Sequence, residues 1–100
     1  MSKIVNNITY HQNTSDAVIA ILEKSRKEKL RIVLTYGDPI SKKEWEPDAT
    51  PMRGYVGNSM GPQKIPLLIR TAKSVGGEGI LDHCIVKIVT SKGGKVLYEV

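Results

Sequence analysis

The segment GYVGNSMGPQKIPLLIRTAKSVGGEGILDHCIVKIV, residues 54–89, contains two apolar runs that are long enough to be buried strands, at 65–69 and 80–89. A glycine-rich loop precedes each run, at 57–61 and at 74–79. Because glycine weakens strands and helices, such clusters indicate special backbone angles or the close approach of another group. Rigid strands that present glycine loops favour a small-ligand pocket over a catalytic triad or a metal cage.

The rest of the chain predicts a single α+β domain over residues 1–100. Thr14, Ser15 and Asp16 supply a helix start signal, and apolar residues follow at helical spacing, which predicts an amphipathic helix over 16–29. Strands are predicted at 3–10 (an edge strand interrupted by two asparagines), 31–36, 52–56, 64–71, 80–90 and 95–100, with a hairpin turn at 91–94. This order predicts one N-terminal helix packed on a bent, mainly antiparallel sheet of about five strands, resembling a small open barrel.

Composition indicates the cellular compartment of the chain and the class of partner that it binds. The lone Cys84 excludes an intramolecular disulfide and fits a reducing compartment. The sequence shows no membrane span and no secretory signal, so we expect a cytoplasmic protein. The net charge of +5 favours anionic partners. A basic run at 24–31 is interrupted by Glu28, which favours a solvated face over a nucleic-acid footprint.

Catalytic and metal-binding patterns are weak. In an extended strand Asp82 and Cys84 would share one face and His83 would take the other, so the three would not form a compact nucleophile–base pair. Two histidines and one cysteine are too few for a typical zinc site. We therefore predict no catalytic residue, no metal and no cofactor. A small hydrolase that uses Asp82 and His83 as acid–base groups remains an alternative.

The glycine loops carry a more specific hypothesis. Successive backbone amides of a glycine turn can bind one anion, and neighbouring cations strengthen such a site. Lys64 follows the first loop, and Arg70 precedes the second. A phosphate or pyrophosphate would fit either loop, although ordinary tight turns share this pattern. Tyr36 and Trp45 offer flat surfaces for a purine, or alternatively pack in the core or at a subunit contact.

Several ordered motifs carry a resemblance to a known family. They are Tyr36-Gly37-Asp38, Trp45-Glu46, Gly54-Tyr55-Val56-Gly57-x-Ser59-x-Gly61, Lys64-Ile65-Pro66-Leu67-Leu68 and Gly76-Gly77-x-x-Ile80-Leu81-Asp82-x-Cys84-Ile85-Val86. In these motifs, which span about residues 31–98, the chain resembles the first family of Thoeris anti-defence proteins of phages and prophages. Relatives often carry a basic residue where this chain has Asn58; if that residue holds phosphate in them, we expect a different affinity or ligand choice here.

The resemblance implies a function. Proteins of that family are non-enzymatic sponges: they sequester cyclic ADP-ribose isomers made by bacterial TIR-domain proteins, and some also hold cyclic oligonucleotides within a homo-oligomer. The chain would then act in the host cell cytoplasm, without membrane or nucleic-acid partners. The ligand-binding residues expected on these grounds are Tyr36, Gly37, Asp38, Trp45, Gly57, Asn58, Ser59, Gly61, Lys64, Arg70, Ser74, Gly76, Gly77, Asp82 and His83. The alternative is a basic binding module that inhibits a nucleic-acid or protein component of host defence.

Overall fold

A computed structural model of the chain describes residues 2–38, 40–41, 43–44, 51–57, 64–70 and 77–100. Within these ranges the elements are β1 (Lys3–Val5), β2 (Ile8–Tyr10), α1 (Asp16–Glu28), β3 (Ile32–Asp38), β4 (Lys43–Glu44), β5 (Met52–Gly57), β6 (Leu67–Ile69), β7 (Glu78–Gly79), a 3-10 helix (Asp82–Cys84), β8 (Ile85–Thr90) and β9 (Val96–Glu99). None of the helices in these ranges has the length and apolar character needed to cross a membrane.

The predicted α+β class is confirmed, with one α-helix and a mainly antiparallel sheet in the described chain. The strand order is β7-β6-β5-β3-β8-β9, with β4 also paired to β3, and every pairing is antiparallel. The first half of β5 pairs with β3 and the second half with β6. The described sheet thus has seven strands rather than about five, and it is not closed into a barrel.

The N-terminal segment is a hairpin rather than the single edge strand predicted over 3–10. β1 and β2 pair antiparallel, with Lys3 opposite Tyr10. Asn6 and Asn7 form the turn, with φ of 50° and 68°. Asparagine tolerates this left-handed region better than other side chains, so the pair reverses the chain where a strand would have continued. The element order is therefore hairpin, helix, sheet.

Helix α1 confirms the prediction over 16–29 to within one residue. The Ser15 hydroxyl caps its start by accepting from the backbone N–H of Val18. Lys29 ends the helix in the left-handed conformation, and its N–H donates to the carbonyl of Ser25. The buried Ser25 hydroxyl donates to the Leu30 carbonyl and accepts from the N–H of Val56, which joins the end of α1 to β5.

Two strands are shorter than the apolar runs predict. Strand β6 covers Leu67–Ile69 rather than 64–71, and Pro66 before it has no N–H to donate to a ladder. Strand β8 begins at Ile85 rather than at residue 80, because the chain turns through the 3-10 helix between β7 and β8. The alternation expected for an extended strand at Asp82–Cys84 is therefore wrong. By contrast the predicted turn at 91–94 is present, with Gly93 and Gly94 at positive φ.

The core lies between α1, the hairpin and the sheet. Its large, fully buried side chains come from all three layers: Tyr10, Leu22, Ile32, Leu34, Leu68 and Ile88. The aliphatic residues dominate, as expected for a chain without phenylalanine. Burial of each such side chain stabilises the fold by about 1.5–3 kcal/mol.

Glu23 is a buried carboxylate that joins the hairpin to the helix. It accepts from the Asn6 amide at 2.6 Å and from the Tyr10 hydroxyl at 2.8 Å, and it pairs with Arg26 at 2.9 Å. Burial by itself would raise the pKa of Glu23. The hydrogen bonds from Arg26, Asn6 and Tyr10 outweigh that effect and lower the pKa to about 2, from an ordinary value of 4.5.

Substitution of this carboxylate should destabilise the chain in a pH-dependent way. At pH 7 we expect Glu23→Gln to lower the free energy of unfolding by about 3 kcal/mol, because Arg26 loses its buried partner. The folded-state pKa is depressed, so the wild-type advantage is complete above about pH 4.5 and disappears as the pH falls towards 2. Denaturant unfolding at a series of pH values measures this, with the exposed Glu28→Gln as control. An equal loss for Glu23→Gln at pH 7 and pH 2 would contradict this explanation.

Close packing between β5 and β6 requires glycine at position 54. A Cβ on Gly54 would clash with the backbone carbonyl of Ile69, which the strand pairing holds in place. A Cβ on Gly57 would meet only the end of the Ile69 side chain, which can rotate away. We expect Gly54→Ala to cost about 3 kcal/mol and Gly57→Ala about 1 kcal/mol in unfolding experiments. The reverse ranking would show that the backbone approach is not the constraint.

Candidate functional site

Asp82 anchors the region that the sequence predicts to bind ligand. It is the first residue of the 3-10 helix, and its carboxylate is buried. One oxygen, Oδ2, accepts from the backbone N–H of His11 at 2.8 Å and from the Thr14 hydroxyl at 2.6 Å. These bonds join the 3-10 helix to the loop between β2 and α1. The carboxylate therefore holds two distant segments of the chain together.

The imidazoles of His11 and His83 stack against each other beside this anchor. Their ring centres are 4.1 Å apart, and the planes are inclined by 22°. The Nδ1 atom of His11 accepts from the N–H of Asn13, so the neutral ring carries its proton on Nε2. The Nδ1 atom of His83 is buried, and it is the one buried side-chain nitrogen or oxygen without a hydrogen-bond partner among the residues that the structure describes.

Tyr36 brings the end of β3 to the same region. Its hydroxyl oxygen accepts from the backbone N–H of Leu81 at 3.3 Å. Burial raises the pKa of Tyr36, and the neighbouring charge of Asp82 acts in the same direction. The Cys84 thiol is likewise held protonated, because burial and then Asp82 raise its pKa. We name the group formed by His11, Thr14, Tyr36, Asp82 and His83 the histidine cluster.

The two cations predicted to bind ligand, Lys64 and Arg70, make their contacts with residues outside the histidine cluster. Lys64 is exposed, and its carbonyl accepts from the N–H of Thr9, so it lies beside β2. Arg70 forms an ion pair with Glu78 at 3.3 Å, and both side chains are about half exposed, at 49% and 53%. Its carbonyl accepts from the Arg31 guanidinium at 2.8 Å. The charge of Glu78 beside this guanidinium would compete with a phosphate for Arg70.

Of the remaining predicted ligand-binding residues, four lie within the described ranges and six lie outside them. Gly37 is buried in β3, and the exposed Asp38 carboxylate accepts from the N–H of Ile40, which lowers the pKa of Asp38. Gly57 packs against Ile69, and Gly77 has a φ of 61° beside Leu68. Six predicted residues lie outside the described ranges: Trp45, Asn58, Ser59, Gly61, Ser74 and Gly76.

The structure divides the basic run at 24–31 among different environments. Arg26 is largely buried in its ion pair with Glu23. Lys27 lines a groove between α1 and the hairpin, whereas Lys29 and Arg31 line a different groove beside the β8–β9 turn. The run is therefore not one continuous charged face.

Sequence reasoning missed His11 and Thr14. Nothing in the sequence pairs His11 with the distant His83, and Thr14 is predicted only as part of the helix start. In the structure Ser15 is the residue that caps the helix, whereas the hydroxyl of Thr14 is buried against Asp82. A threonine directly before a good N-cap serine is the signal that could have suggested a second role for it.

Hydrogen bonds to Asp82 and a raised pKa at Cys84 already constrain these two groups of the 3-10 helix. Asp82 already accepts two hydrogen bonds on one oxygen, and the thiol of Cys84 is held in its less nucleophilic form. Within the described ranges no group of three or more histidine, cysteine or acidic residues could hold a metal ion. Comparison with protein-family models, with curated proteins and with solved structures finds no match to the chain.

Removing the Thr14 hydroxyl tests whether the anchor holds the cluster. We expect Thr14→Val to lower the free energy of unfolding by about 1.5–3 kcal/mol, since the buried carboxylate loses a donor. Thr14→Ser keeps the hydroxyl and should stay within about 0.5 kcal/mol of the wild type. Hydrogen exchange of the His11 amide should accelerate in the valine variant. Equal stability of the two variants would contradict the anchoring role.

Proposed function

We propose that the chain is a non-enzymatic anti-defence protein that binds and sequesters a nucleotide-type immune signal, a cyclic ADP-ribose isomer or a related cyclic oligonucleotide. In this proposal it acts in the host cell cytoplasm as a homo-oligomer and uses the histidine cluster as part of its binding site. The motif resemblance supplies the ligand class, and the contacts of the cluster supply the residues.

The single observation that carries the proposal is the unpartnered Nδ1 of His83. A buried polar atom without a partner costs about 1–3 kcal/mol, so native proteins keep few of them, and many lie at functional sites. Because the atom is buried, a ligand would have to move the imidazole to reach it, and a hydrogen bond made there would recover that energy. Hydroxyl groups of a ribose and ring nitrogens of a purine can both make such a bond.

The surroundings of His83 suit the other parts of such a ligand. The stacked ring of His11 places a flat, largely apolar surface beside His83, and the Tyr36 hydroxyl lies at the backbone N–H of Leu81, two residues before it. The net charge of +5 attracts a pyrophosphate, and Lys64 is an exposed residue whose backbone lies beside β2. A sponge must bind tightly without turnover, and a Cys84 thiol that stays protonated is compatible with this role.

A nucleic-acid-binding role for the run at 24–31 is less well supported. Arg26 is occupied by Glu23, and the neighbouring cations line two different grooves. Phosphate contacts along a nucleic acid need cations on one continuous surface. If the full chain binds neither DNA nor RNA at low salt, this alternative is excluded.

Titration calorimetry with a panel of cyclic ADP-ribose isomers and cyclic di- and trinucleotides tests the proposal. We expect one ligand to bind with sub-micromolar affinity and to be recovered chemically intact after heat release, as shown by mass spectrometry. His83→Phe keeps a flat ring beside His11 and removes Nδ1. It should therefore weaken binding about tenfold while leaving the melting temperature unchanged or higher.

Matched variants separate the possible results. Lys24→Gln removes an exposed charge on α1 away from the cluster and should bind like the wild type. Absence of binding across the whole panel would refute the proposed function. Binding that His83→Phe leaves unchanged would refute the role of the histidine cluster, and a hydrolysed ligand would favour the hydrolase alternative.

A further inference from the structure

A second concave surface lies at the other end of β3, where the helix passes into the strand. It is a groove of about 500 Å³ between the end of α1 and the β8–β9 turn. Its lining consists of Glu28, Lys29, Leu30, Arg31, Thr90, Ser91 and Lys92. We name it the basic groove, because three of its seven residues are cations and one is an anion.

The cations come from three different parts of the fold. Lys29 is the cap of α1, Arg31 directly precedes β3, and Lys92 lies in the turn between β8 and β9. All three side chains belong to exposed residues, whereas Leu30 between the first two is half-buried. The groove thus combines a positively charged rim with an apolar patch, as small-ligand sites commonly do.

Hydrogen bonds hold the walls of the groove in place before any ligand arrives. The N–H of Ser91 donates to the carbonyl of Arg31, which fixes the turn against the start of β3. The Arg31 guanidinium donates one N–H to the Arg70 carbonyl at 2.8 Å, which orients the group and uses one of its five donors. At the turn, the Thr90 hydroxyl donates to the Lys92 carbonyl and accepts from the backbone N–H of Lys95. A preorganised site loses less entropy on binding than a flexible one.

Lys29 occupies a backbone position that favours glycine. Its φ is 52° and its ψ is 38°, the left-handed conformation in which helices commonly end on glycine. A lysine there is less stable than glycine but puts a cationic residue in the lining of the groove. Non-glycine residues in this region of conformational space are enriched at functional sites.

We propose that the basic groove binds a small anion that carries two or more phosphate groups. Three cations against one carboxylate leave an excess of two positive charges, which attracts an anion. The volume lies within the range of about 300–1,000 Å³ typical of small-molecule sites and greatly exceeds the size of one phosphate. Arginine and lysine are the side chains that best bind phosphate oxygens.

The basic groove is separate from the histidine cluster. Arg31 and Tyr36 are five residues apart along β3, which corresponds to about 16 Å in an extended strand. Occupancy of the groove therefore does not depend on the proposed function. The test of the basic groove therefore uses a phosphate compound without a nucleoside.

Titration calorimetry of the full chain with inorganic tripolyphosphate, at 20 mM and at 150 mM salt, provides that test, with orthophosphate as the single-phosphate comparison. We expect one tripolyphosphate per chain, weaker binding at the higher salt and at least tenfold weaker binding of orthophosphate. Lys92→Gln should weaken tripolyphosphate binding about tenfold, whereas Lys24→Gln, an equal change in charge outside the groove, should have little effect.

Lys29→Gly separates binding from folding. Relief of the left-handed backbone should raise the melting temperature by about 4 °C, while loss of the ammonium weakens tripolyphosphate binding. The proposal is overturned if tripolyphosphate fails to bind at 20 mM salt. It is equally overturned if Lys92→Gln and Lys29→Gly bind no more weakly than Lys24→Gln, since the attraction would then come from net charge.

Discussion

The buried carboxylate of Asp82 is the contact on which the candidate site depends. It accepts hydrogen bonds from His11 and Thr14, which lie 71 and 68 residues before it in the chain. Such bonds to a charged acceptor in a low-dielectric setting are stronger than neutral ones, and leaving the charge unpaired would be costly. The position of His11 against His83 follows from this attachment, because it brings the loop before α1 to the 3-10 helix.

A second buried carboxylate performs the same task for the core. Glu23 joins the turn of the hairpin, through Asn6, to the helix, through Arg26, and it also accepts from the core residue Tyr10. Glu23 therefore holds the hairpin, and Asp82 holds the loop that follows it. The hairpin and the loop after it form part of the domain core and of the histidine cluster.

The distribution of charge makes the two candidate surfaces chemically different. The histidine cluster contains aromatic rings, one buried carboxylate and one unpartnered nitrogen. The basic groove is open and positively charged, and it lies beyond the start of β3. Strand β3 lies between them and pairs with β4, β5 and β8, so the distance between the two surfaces is fixed by the most extensively paired strand of the described sheet.

Local pattern was sufficient for the elements whose stability is local. The cap at Ser15, the helical spacing after Asp16 and the paired glycines at 93 and 94 predict structure correctly, because each rests on contacts within a few residues. The same reasoning failed at Asp82–Cys84. The apolar run at 80–89 predicts a strand there, but the chain turns through a 3-10 helix to enter β8. This reasoning also could not pair His11 with His83 or Thr14 with Asp82. Those contacts join residues about 70 positions apart, and their energy arises only when folding removes water from both partners.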